Sequence, residues 1–151
     1  MTGRMEVIAG ILGTLFLLIG SIMDIRRREI SLMLAVVFAG IGIAVSFILE
    51  EKSWLTVLTA MLPGAVLTVF AALTRGRMGI GDGIAILVMG CFFIFEDLLI
   101  MLMLAFGAAS VWSAGMLIRG KRRTDSFPFL PFLLSGEILF WILQVLAAPG
   151  R

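Results

Sequence analysis

Apolar residues in this chain fall in long runs rather than in alternation, and short arginine-rich clusters separate the runs. An α-helix rises about 1.5 Å per residue, so about 20 apolar residues cross a bilayer core of about 30 Å. Five runs approach that length: Val7–Met23, Ile30–Leu49, Trp54–Leu73, Leu98–Ile118 and Phe129–Ala148. A sixth, Ile84–Phe95, is shorter. The pattern predicts an all-α, polytopic integral membrane protein: a bundle of six transmembrane helices in one domain, residues 1–151. The first run is expected to be a span. It is long for the apolar part of a secretion signal, and no small-residue cleavage site follows it.

Charge placement orients the bundle. Arg26, Arg27 and Arg28 follow the first run, Arg75 and Arg77 the third, and Arg119, Lys121, Arg122 and Arg123 the fifth. The other side holds only Arg4, Lys52 and Arg151. Short loops rich in Lys and Arg stay cytoplasmic. The expectation is therefore a multi-pass protein of the cytoplasmic membrane with both termini extracytoplasmic. Asp24 and Asp82 then share the cytoplasmic side.

The short fourth run predicts something further. At 12 residues, it rises only about 18 Å as a helix. To cross, its helix is expected to begin earlier, near Arg77 or Met78, which would draw Asp82 about a turn below the hydrocarbon boundary. Three glycines, Gly79, Gly81 and Gly83, leave the backbone there open to close approach by another chain.

Composition narrows the chemistry. The chain is 61% hydrophobic and 15% charged, with mean hydropathy +1.15, against about a quarter charged in an average soluble domain. It has no histidine and one cysteine, Cys91, inside an apolar run. Ser-His and Cys-His nucleophiles and His-containing metal sites are thus excluded, and Cys91 reads as a buried, inert thiol. Carboxylates remain. An acid at the edge of a bilayer costs about 3 kcal/mol on insertion scales, so it persists where it has a task or a partner. Two close carboxylates hold one proton between them, which supplies a base and an acid at one pH. That pair can activate water against a peptide carbonyl and protonate the departing amine.

Each candidate also has a plainer reading. Asp24 could be a loop acid paired with Arg26, Arg27 and Arg28, and Asp82 a helix N-cap. Glu137, inside the last run, reads as an interior carboxylate hydrogen-bonded to a neighbouring helix. Pro128 and Pro131 are ordinary residues for a helix start.

Three stretches together resemble the type IV prepilin peptidases, the GxGD class of membrane aspartic proteases. Asp24-Ile-Arg-Arg-Arg-Glu-Ile30 is similar to the family's first-aspartate segment. Gly79-Ile-Gly-Asp82 matches the GxGD motif, and Phe127-Pro-Phe-Leu-Pro-Phe-Leu-Leu-Ser-Gly136 is similar to a Pro-Phe-x-Pro-Phe segment opening the last span. The resemblance implies that Asp24 and Asp82 are catalytic and that Gly79, Gly81 and Gly83 form the active-site loop. Arg77, Pro128, Phe129 and Pro131 become candidates for substrate or structural support. It implies pilin-like precursors as substrates, cleaved where a basic leader meets an apolar helix, at the cytoplasmic boundary of the lipid bilayer that surrounds the protein. It implies neither metal nor other cofactor, and no nucleic acid.

The chain also departs from that pattern. Position 84 is Ile where the family usually has Lys, which leaves Arg77 as a possible replacement cation. Ser31-Leu32 stands where Pro-Asn is favoured. With no cysteine-bearing cytoplasmic insertion, no N-methylation of the product is expected. Two other readings remain. A proton- or cation-coupled transporter would show inverted repeats with broken helices in both halves, and one Gly-rich break is visible. A non-catalytic membrane subunit of a pilus or secretion machine would use the acids structurally.

Overall fold

The computed structural model describes residues 2–27, 31–74, 79–118 and 128–147. These form six α-helices and, among the described residues, no strand. The helices are α1 Thr2–Arg27, α2 Leu32–Ile48, α3 Trp54–Leu73, α4 Ile80–Met89, α5 Phe95–Ile118 and α6 Leu130–Ala147. Arg28, the basic positions 75, 77 and 119–123, and Met78 lie outside the described residues, and so does the candidate support residue Arg77.

Four helices are long and apolar enough to cross a membrane alone: α1 through Glu6–Arg26, α3, α5 and α6. The shorter α2 and α4 have 17 and 10 residues. Large apolar side chains such as Val36, Leu73, Met103 and Ile118 point outward, as suits a hydrocarbon solvent rather than water. The chain is an all-α membrane protein.

Inward faces are built from small residues at helical spacing. On α1 the buried stripe runs Ala9, Gly13, Phe16, Leu17, Gly20, Ser21, Asp24, steps of three and four that keep one face toward the neighbours. On α6 it is Leu130, Leu133, Gly136, Glu137, Phe140. Both named acids therefore sit on core-facing stripes. The closest pairings are α3 with α4 and α5 with α6; α1 packs on α6 and α2, and α2 also reaches α4.

The fourth helix starts earlier than its apolar run, as expected. It begins at Ile80, two residues short of Met78, after an N-cap at Gly79, which puts Asp82 in its first turn, and it stops at Met89. The missing length is made up at the far end by non-helical backbone, Gly90–Ile94. The cause is non-local. Gly90 lies so close to the Ala60 carbonyl and Met61 of α3 that a Cβ there would clash. Ser46 Oγ then donates to the Cys91 carbonyl at 2.6 Å, and Lys52 Nζ to the Phe92 carbonyl at 2.9 Å. Irregular backbone is tolerated at depth when its polar groups are satisfied by protein. Cys91 is fully buried in this turn.

Candidate active site

Asp24 lies in the last turn of α1, and only 8% of it is exposed. Its Oδ2 accepts a hydrogen bond from the Leu130 N–H at 3.2 Å, at the first residue of α6. The Phe129 N–H lies against the same carboxyl. Helix N-termini present free N–H groups and a partial positive charge, a natural seat for a carboxylate. Asp24 is thus a helical residue rather than a loop acid, and its side chain turns inward onto α6.

Asp82 is half-buried in the first turn of α4. The N-cap is Gly79, which has no side chain to bond, so the plain N-cap reading of Asp82 does not hold. Asp82 sits three residues further on, donates its own N–H to the Gly79 carbonyl at 3.1 Å, and folds its carboxyl back over Gly79. A Cβ at Gly79 would stand 2.8 Å from Asp82 Oδ2. The Asp24 charge reaches Asp82. The end of α1 therefore meets the start of α6, and Asp82 at the start of α4 lies within range of the Asp24 charge.

The glycine motif serves the fold more than it opens it. A Cβ at Gly83 would fall 2.6 Å from the Thr68 backbone nitrogen, so the chain approaching here is the protein's own α3. Gly64 of α3 reciprocates against the Leu87 backbone of α4. This corrects the expectation of backbone left open to another chain at Gly83; Gly79 is exposed and Gly81 half-buried. Ile84, at the position of the missing Lys, is half-buried and packs against the apolar core.

Glu137 is set apart from this cluster. It is fully buried, and its Oε1 lies 2.9 Å from the Thr14 hydroxyl of α1, the interhelical hydrogen bond expected for an interior acid. A cavity of about 580 Å³ opens at the opposite end of the bundle, between Glu6, Lys52, Phe93, Asp97, Trp141 and Gln144. It includes neither Asp24 nor Asp82. Among the described residues no group of acids and thiols is arranged to hold a metal.

Sequence reasoning missed the backbone partners of Asp24. The signal was present: two prolines bracket Phe129 and Leu130, and a proline has no N–H of its own.

These features define a polytopic α-helical membrane protein that carries Asp24 at the end of α1 and Asp82 at the start of α4. The type IV leader peptidase family matches residues 11–114, more than half of the chain. The protein belongs to that family, and it is a peptidase by membership. The matched region contains Asp24 and Gly79–Asp82 and ends before the Pro128–Pro131 segment. No curated protein and no solved structure matches the chain.

Proposed function

We propose that this protein is an aspartic endopeptidase that removes the basic leader from pilin-like precursors at the cytoplasmic face of the cell membrane. Asp24 and Asp82 carry the reaction. The observation behind this reading is that two acids far apart in sequence come within electrostatic reach at one end of a family bundle.

The chemistry follows from one proton shared by two carboxylates. The ionised member takes a proton from water as its oxygen attacks the scissile carbonyl carbon. The protonated member shields the developing oxyanion. Collapse of the tetrahedral intermediate breaks the C–N bond, and a carboxylic acid returns a proton to the leaving nitrogen. Water is the only co-reactant. The basic leader stays in the cytoplasm, while the precursor's apolar helix enters the bilayer beside the bundle.

Purified protein in liposomes with a precursor of this type tests the reading. Asp24→Asn and Asp82→Asn are each expected to retain precursor crosslinking and lose cleavage by at least about a thousandfold. Full cutting by either variant would falsify the dyad.

A further inference from the structure

Helix α6 begins in an unusual way. Four N–H groups at a helix start lack intrahelical partners. Here Pro128 and Pro131 contribute none. The Phe132 N–H bonds the Phe129 carbonyl at 2.9 Å, and the Leu133 N–H bonds the same carbonyl at 3.1 Å. Only the N–H groups of Phe129 and Leu130 remain, and both are turned to Asp24.

Packing fixes the separation. A Cβ at Gly20 would sit 2.6 Å from Leu130 Cδ2, so the bare backbone of α1 lets Leu130 seat one turn before Asp24. Leu130 is fully buried. The Phe129 ring lies 5.2 Å from Phe106 on α5, with the planes tilted. The two donors are therefore held from both sides, by α1 and by α5.

We propose that the start of α6 is a carboxylate clamp, with Leu130 and Phe129 as positioning residues acting through their backbone N–H groups. The clamp holds Asp24 Oδ2 and leaves Oδ1 as the oxygen that meets water. Asp24 is then the fixed member of the pair. Asp82, on a short helix anchored to α3, is the member that adjusts. The prolines restrict the free donors to two, so the carboxylate meets a defined pair rather than a fraying helix end. This assignment rests on the dyad reading above and adds a role for the α6 start that Asp24 substitution alone does not probe.

The test removes the donor and keeps the side chain. An amide-to-ester substitution at Leu130, introducing leucic acid, deletes one N–H. Leu130→Pro does the same at the first helical position, where proline is well tolerated. Leu130→Ala keeps the N–H and loses the side chain. The ester protein is expected to lose about 10- to 100-fold in kcat with KM within about twofold, as small misplacements of a reacting group do. It should also shift the Asp24 carboxylate infrared band, identified by its loss in Asp24→Asn. Leu130→Ala should leave that band in place.

An ester protein with unchanged kcat and an unchanged band overturns the clamp and leaves the dyad standing. Full cutting by Asp24→Asn overturns the dyad instead. Thermal unfolding gives a second arm that needs no activity. In an Asp24→Ala background, Leu130→Pro and Leu130→Ala should differ no further in stability. A difference as large as in the native background would overturn the clamp.

Discussion

Thr14 and Glu137 cross-link α1 to α6 within the bundle, hydroxyl to carboxyl at 2.9 Å. The same two helices are joined a second time where Asp24 meets Leu130. Two polar links on one pair of helices fix both their separation and their rotation. An unpaired buried polar group costs about 1–3 kcal/mol, so each link constrains the pair more by the penalty of breaking it than by its own net strength.

That asymmetry predicts the behaviour of Glu137 variants. Glu137→Gln keeps an acceptor for the Thr14 hydroxyl and should cleave precursor at close to the native rate. Glu137→Ala leaves Thr14 only the Gly10 carbonyl of its own helix, removes the link to α6 and leaves a void, and should lower stability by about 2–4 kcal/mol. Thermal melts in detergent with parallel cleavage assays measure both. A dead Glu137→Gln of native stability would place Glu137 in the chemistry instead.

Gly83 predicts a failure of architecture. An added Cβ meets the Thr68 backbone, which cannot rotate away as a side chain tip can. Gly83→Ala should push α4 off α3, cost about 1–3 kcal/mol as overpacking does, and reduce cleavage because Asp82 is the residue immediately before it. Circular dichroism melts and turnover should fall together.

Lys52 predicts the reverse pattern. It donates to the Phe92 carbonyl at 2.9 Å and pairs with Glu50 at 2.6 Å, at the end of the bundle away from the acids. Lys52→Met leaves a carbonyl and the nearly buried Glu50 carboxylate without their cation, for about 1–3 kcal/mol of lost stability. Turnover per folded molecule should stay native. A loss of kcat without a loss of stability would contradict the separation of the two ends.

Much of this was legible in the sequence. Hydropathy alone located six helices, because a bilayer sets a length that a run of apolar residues either meets or misses. The two acids stood out for their cost at a membrane edge. What did not show was how the short fourth span is completed, since Ser46 and Lys52 reach Cys91 and Phe92 from other parts of the chain. Nor did the spacing of glycines say which neighbour each admits. Gly83 admits α3, while Gly79 admits the carboxyl of Asp82. The partners of Asp24 are backbone groups, which every residue but proline has, so only the two prolines hinted at them.

Gly79 offers a test of orientation apart from stability. It is exposed, and the nearest atom to an added Cβ is Asp82 Oδ2 at 2.8 Å. That atom is the tip of a side chain, so Gly79→Ala should leave the fold nearly untouched and turn the Asp82 carboxyl away from its present direction. The expected result is a melting temperature within about 2 °C of native, since surface changes away from packed contacts stay within about 0.5 kcal/mol. Cleavage should fall about tenfold or more, because a reacting group displaced by less than 1 Å already loses rate on that scale. Gly83→Ala loses stability and rate together, whereas Gly79→Ala should lose rate alone. Native turnover in Gly79→Ala would mean that the carboxyl of Asp82 reaches its working position from elsewhere, and that its fold over Gly79 has no part in the reaction.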